Sequence, residues 1–174
     1  MKKLFSLFAL TLVAAISINA SAQSLVGKWN TTAGGAQYAM MEAMGGEIEK
    51  ADTYWNFSSN KSYNTYSYVK ATVDVMGYQM EMEMEMTESG TWCLSDDELI
   101  TTVNDFNVSK FNITFSDPSL NSVGDQVKST MMDAFNSVVG SEVVYDIEFV
   151  DSNTVELEFD NELMPMSYTL KRVR

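Results

Sequence analysis

Hydrophobic and polar residues alternate most regularly between Tyr78 and Leu94. In the first half of this stretch methionines alternate with glutamates: Met80, Met82, Met84 and Met86 with Glu81, Glu83 and Glu85. A period of two places the thioethers on one face and the carboxylates on the other, whereas a helix would scatter both types around its axis. The stretch therefore predicts a β-strand with one buried face. The unbroken parity from Met80 places Trp92 and Leu94 on that face as well.

Similar alternation predicts the other strands, which short polar turns separate. We expect them over residues 24–32, 53–57, 62–75, 99–103, 111–115, 143–149, 155–159 and 166–173. Because the turns are short, strands that follow one another should pair antiparallel. Gly27, two residues before Trp29, is typical of a tight entry into the first strand, with the indole filling one end of a core.

Two stretches have a helical period instead. Residues 35–51 are rich in Ala, Met and Glu, and Tyr38, Met41 and Met44 recur at helical spacing before a break near Gly45 and Gly46. This helix would either form a lid over a cavity or pack on the outside, which is the more ordinary arrangement. Residues 122–139 predict a second helix that Gly140 ends.

The order of these elements predicts an all-β, mainly antiparallel fold. We expect one domain over residues 23–174, a barrel of about 8–10 strands with two helical inserts around 35–50 and 119–139. Closing the sheet would remove exposed strand edges, and a barrel of about eight strands can enclose one small ligand. A two-sheet sandwich is the alternative.

Four short segments, 25–29, 55–63, 89–99 and 168–173, follow one another across the chain: LVGKW, WNFSSNKSY, SGTWCLSDDEL and YTLKRV. In their order and spacing they resemble the lipocalin-like (calycin-type) exported proteins common in gut Bacteroidetes. The resemblance implies a lipocalin-like up-and-down β-barrel whose interior can bind a small apolar molecule, and it implies no chemistry. The two helical inserts are longer than a minimal barrel needs, so we expect them to cover or fill the cavity.

The N-terminal residues have the pattern of a secretory signal. Two lysines precede an apolar run that ends in Ala20-Ser21-Ala22, which predicts cleavage near Ala22 and a signal peptide over residues 1–22. With no lipid-accepting cysteine there, we expect an exported protein, periplasmic or extracellular, without a membrane span after cleavage. The formal net charge of −13 disfavours nucleic acid as a partner.

Composition also narrows the possible chemistry. The chain has no histidine, which removes the commonest general base and zinc ligand. Its one cysteine, Cys93, has no basic neighbour in sequence to activate it, so we expect a buried or half-buried, inert thiol. We therefore predict no catalytic residues, no metal site, no cofactor and no enzymatic activity.

The predicted ligand-binding residues are those on the inward faces of the strands. They are Met80, Met82, Met84, Met86, Trp55, Phe57, Tyr145 and Phe149. A small hydrophobic molecule such as a lipid, sterol or pigment is the expected ligand. One alternative is a filled barrel that acts as a surface or protein-interaction module. A minor alternative is Cu(I) binding by the methionines, since thioethers select Cu(I), but no histidine or thiolate is predicted on the same face.

Overall fold

The computed structural model describes residues 25–31, 46–75, 77–159 and 166–174 as a closed antiparallel barrel. Its strands are β1 (Gly27–Thr31), β2 (Gly46–Phe57), β3 (Ser62–Val75), β4 (Tyr78–Ser95), β5 (Glu98–Phe115), β6 (Glu142–Asp151), β7 (Thr154–Phe159) and β8 (Met166–Arg172). Each strand pairs with the next, and β8 pairs with β1. The all-β barrel prediction is confirmed, and the sandwich alternative is wrong. The predicted signal peptide lies outside the described residues.

Strand β4 has the geometry that its alternation predicts. It pairs with β3 from Tyr78 to Thr91 without a register shift. Met84 and Trp92 are buried, whereas Glu81 is exposed. Because the parity never breaks on β4, the four methionines share one face of the strand with Trp92, and this face turns to the interior where the barrel is closed.

The end of the barrel at which β1 enters is filled by packed aromatic and aliphatic side chains. Trp29 is fully buried, and its indole Nε1 donates a hydrogen bond to the Leu25 carbonyl at 2.7 Å. The Arg172 guanidinium lies 4.2 Å from the centroid of the Trp29 ring and donates to the Val26 carbonyl at 2.8 Å. A Cβ at Gly27 would stand 2.7 Å from Arg172 Nη1, so a glycine leaves room for this contact. The prediction that Trp29 fills one end of the core is confirmed.

At the opposite end, four strands continue beyond the closed part. Among the described residues, β1 pairs with β2 only over 54–57, and β6 pairs with β5 only over 98–102. The rest of β2 to β5 forms an extended sheet. Helix α1 (Asn121–Asn136) follows the short 3-10 turn Pro118–Leu120 and packs on β5 through ring contacts of Phe135. The predicted second helix is therefore confirmed.

The first predicted helix is wrong over residues 46–51, and its residues 35–45 lie outside the described residues. Gly46 to Ala51 belong to β2 and pair with β3, with a bulge at Glu49. The bulge places Ile48 and Ala51 on the same face, where both pack against Val69, Ala71 and Val73. Two apolar residues three positions apart have helical spacing in the sequence, although here a bulged strand produces it.

Strand β5 joins two stretches that the sequence predicted as separate strands. It has register shifts against β4 that leave Asn104 and Ser109 without a paired residue on that strand. Each bulge reverses the parity, so the inward side changes from Val103 to Phe106 and again from Val108 to Phe111. The alternation in this region is therefore interrupted twice within one continuous strand.

Candidate functional site

A cavity of about 300 Å³ lies where the closed barrel meets the C-terminal end of α1. Its apolar walls include Trp55, Met86, Phe106, Phe135, Val143 and Tyr145. Polar groups come from seven residues: Thr53, Thr65, Ser67, Thr87, Glu88, Ser141 and Tyr168. Strands β2 to β6, strand β8 and the helix all contribute, so the lining depends on the closed barrel.

The structure brings together three of the eight residues predicted to bind ligand. Trp55, Met86 and Tyr145 line the cavity. Phe57 is buried in the core cluster of the barrel, and Phe149 packs against that cluster. The other three methionines, Met80, Met82 and Met84, lie on the extended sheet and do not line this cavity.

Each of these three methionines has its own surroundings on that sheet. Met80 packs against the small cluster around Val69, Ala71 and Val73, and Met84 is buried opposite Phe111. Met82 lines a second, more polar groove of about 350 Å³ between the sheet and the first turns of α1. The methionine face is therefore shared between helix packing and the cavity wall.

Aromatic rings form the floor of the cavity. The Trp55 ring is stacked on Phe57 at a centroid distance of 5.7 Å and on Tyr63 at 6.2 Å. The Tyr145 ring meets Trp55 edge-on at 6.1 Å and Tyr168 at 6.4 Å. Offset and edge-to-face pairs of this kind hold rings in defined orientations. The floor is thus a surface of packed rings, continuous with the aromatic core of the barrel.

A carboxylate that the sequence reasoning missed, Glu88, also lines the cavity. It follows Met86 at the same parity of β4, so its side chain shares the inward face. The Tyr63 hydroxyl donates a hydrogen bond to Glu88 Oε1 at 2.6 Å. Counting by two from Met80 to Trp92 passes through position 88, which is the signal that would have identified this residue.

Burial dominates the electrostatics of this group. It raises the pKa of the Glu88 carboxyl, and the hydrogen bond from Tyr63 opposes that rise. Burial also raises the pKa of the phenols of Tyr63, Tyr145 and Tyr168, and the nearby Glu88 charge adds to each rise. The phenols are therefore neutral around the carboxyl group at ordinary pH.

A glycine creates the space in which Tyr63 reaches Glu88. Gly90 lies directly opposite Tyr63 in the β3–β4 pairing. A Cβ at Gly90 would stand 2.9 Å from Tyr63 Cε1 and 1.9 Å from the Thr102 carbonyl oxygen. Without that Cβ, the tyrosine ring lies over the glycine and its hydroxyl extends along the strand to position 88.

Potential catalytic and metal-binding groups are sparse in the part of the chain that the structure describes. No group of three or more Asp, Glu, Cys or His side chains there could hold a metal ion. The expectation that Cys93 is buried or half-buried is wrong, because its side chain is exposed. Its odd position on β4 turns it away from the interior that Trp92 faces.

None of the described helices is long and apolar enough to cross a membrane. Comparison with protein-family models and with curated proteins finds no match to this chain. The fold and the cavity therefore carry the functional argument.

Proposed function

We propose that the protein is an exported, lipocalin-like β-barrel that binds a small hydrophobic molecule in this cavity and performs no catalytic step. The observation that carries the proposal is the cavity of about 300 Å³ with mainly apolar walls. Small-molecule sites are concave and mostly apolar, with a few polar groups that orient the ligand, and their volumes begin at about 300 Å³. Export is proposed from the signal pattern of residues 1–22.

The size of the barrel and the ring-lined floor of the cavity support this proposal. An eight-stranded barrel has an interior that either side chains fill or one small ligand occupies. Here packed side chains around Trp29 fill one end, while the other end keeps an open volume above Trp55. A cavity that is already formed without ligand requires less ordering of side chains when a ligand binds.

Two adjacent valines provide a matched test. Val143 lines the cavity, whereas Val144, the next residue on β6, is 41% exposed on the opposite face. We expect Val143→Trp to fill the cavity and to weaken binding of N-phenyl-1-naphthylamine, an uncharged fluorescent probe, by about tenfold or more. Val144→Trp adds the same side chain outside the barrel and should leave the affinity unchanged.

The measurement is probe fluorescence on titration, with circular dichroism to show that both variants are folded. Native mass spectrometry of protein purified from its own cells should also reveal a small apolar molecule that is released on denaturation. The proposal is wrong if the unmodified protein binds no probe and carries no such molecule. It is also wrong if both variants bind the probe like the unmodified protein.

A further inference from the structure

The chemistry of the cavity indicates which head group its ligand carries. Glu88 is an acid in a wall that is otherwise apolar or neutral, and no lysine or arginine is among the described residues that line this cavity. Ion pairs in the described part of the chain join Lys50 to Asp52, Lys70 to Glu49 and Lys110 to Glu83. None of them includes Glu88.

A partly buried carboxylate without a cationic partner is unfavourable for the empty protein. Removing an ionised group from water costs free energy unless an opposite charge and hydrogen bonds replace the water. Among the described residues, Tyr63 donates one hydrogen bond to Oε1 of Glu88. A cationic group on a bound ligand would supply the missing opposite charge.

The rings beside Glu88 favour the same kind of ligand. Trp55, Tyr145 and Tyr168 line the cavity together with the carboxylate. The face of an aromatic ring is electronegative and attracts organic cations, most strongly where water is excluded. Rings combined with one carboxylate are therefore complementary to an ammonium group.

The charge of the whole chain disfavours the opposite kind of head group. The formal net charge is −13, so the protein repels anions and attracts cations at long range. A fatty-acid carboxylate would in addition have to approach Glu88 inside the cavity. Both effects select against anionic ligands.

We propose that the ligand is an apolar amine, whose ammonium group pairs with Glu88 while its apolar body contacts Trp55, Met86 and Phe106. This inference rests on the proposed function, since it specifies the ligand of the same cavity. It predicts selection by head-group charge among molecules whose apolar parts are alike.

Three probes with the same alkyl chain test this selection: decylamine, decanol and decanoate. Each is titrated into protein that carries N-phenyl-1-naphthylamine, and its affinity follows from displacement of the probe. Decylamine and decanol can both donate a hydrogen bond to Glu88, but only the ammonium group also supplies the opposite charge, so we expect decylamine to bind about tenfold or more tightly than decanol. Decanoate should bind most weakly of the three.

Two variants that each remove one negative charge show whether Glu88 causes the preference for the amine. Glu88→Gln keeps the shape and an acceptor for Tyr63 but removes the charge, so decylamine should lose its advantage while decanol binds as before. Glu85→Gln removes the same charge from the outward face of β4 and should leave the amine preference intact. Circular dichroism verifies that both variants are folded.

The outcomes separate this inference from the proposed function. Equal affinities for the three probes, or an amine preference that survives Glu88→Gln, would overturn the amine inference and leave a hydrophobic binding site in place. Failure of the unmodified protein to bind any of these probes or N-phenyl-1-naphthylamine would overturn both. Equal loss of the preference in Glu85→Gln would mean that general surface charge, rather than Glu88, causes it.

Discussion

The two faces of β4 carry the same type of side chain in opposite environments. Glu83 faces outward, where Lys110 Nζ lies 2.6 Å from its Oε1 and the Tyr68 hydroxyl donates to that oxygen at 2.9 Å. These hydrogen bonds lower the pKa of Glu83, and the one from Lys110 has the larger effect. Glu88 faces inward, where burial raises the pKa of its carboxyl.

This difference shows that parity, more than local composition, decides what a carboxylate does on a strand. Residues 80–86 alternate uniformly between apolar and acidic side chains, and Glu88 then places an acid on the apolar side. The register of β4 against β3 does not shift at Glu88, and the interior positions on both sides, Met86 and Gly90, keep their partners on β3. The acid is therefore held inside the barrel.

The largest effect should come from adding a methyl group to the inner face. In Gly90→Ala the new Cβ would stand 1.9 Å from the Thr102 carbonyl oxygen, so the backbone of β4 or β5 must move. We expect the free energy of unfolding to fall by about 3 kcal/mol, the upper part of the usual range for overpacking. Urea denaturation followed by tryptophan fluorescence measures the change.

Gly77→Ala is the control for that substitution. Gly77 has a φ of 85°, but a Cβ there would have no neighbour within 4 Å. The strain of a left-handed alanine alone should cost about 1 kcal/mol. If the two variants lose equal stability, backbone conformation rather than crowding of the inner face limits position 90.

A smaller effect, with a characteristic pH dependence, should come from Glu88→Gln in ligand-free protein. The folded pKa of Glu88 lies above its ordinary value of 4.5. The contribution of the protonated carboxyl is therefore fully present below that value and is lost as the pH rises through the folded pKa. At neutral pH the variant should be more stable than the unmodified protein by on the order of 1 kcal/mol, the scale of desolvating a polar group.

The difference between the two proteins should vanish below pH 4.5, where the carboxyl becomes protonated in both the folded and unfolded states. Among the described residues, the titratable groups that face Glu88 are the phenols of Tyr63, Tyr145 and Tyr168, which remain neutral across this range. Thermal unfolding at several pH values gives the comparison. A stability difference that is independent of pH would contradict the assigned burial of the charge.

The smallest effect should come from Glu83→Gln. Glu83 is partly exposed and its pKa is lowered. Its contribution to stability is therefore present at neutral pH and is lost as the pH falls through the folded pKa, which is the opposite direction to Glu88. We expect a change in melting temperature close to the error of the measurement, and a smaller one still in high salt. A clear loss of stability that salt does not reduce would show that the contact with Lys110 is more than a surface ion pair.

Alternation predicted consecutive antiparallel strands that each bury one face, but it left a two-sheet sandwich as the alternative to the closed barrel. It predicted Ser62–Val75 with its observed bounds and the inward position of Trp92. It did not predict the continuity of β5, where bulges at Asn104 and Ser109 interrupt the period. A bulge depends on the partner strand, so a single strand's sequence carries only a weak signal for it.

The candidate site was predictable in part for a similar reason. Trp55, Met86 and Tyr145 are apolar residues in alternating strands, and the same rule places them inside. Glu88 is an exception to the expectation that carboxylates face water, and only its parity marks it. The contribution of α1 to the cavity wall through Phe135 depends on how the helix packs on β5, which periodicity alone does not specify.

The contact of Arg172 with the entrance of β1 has a consequence for the order of folding. Each of the other strand pairs joins strands that follow one another along the chain. The seam between β1 and β8 instead brings together groups 146 positions apart, at Val26 and Arg172. Closing so long a loop costs entropy that local hairpins do not incur, and distant contacts slow folding. The meander from β2 to β7 can assemble first, and the seam then converts an open, curved sheet into a ring.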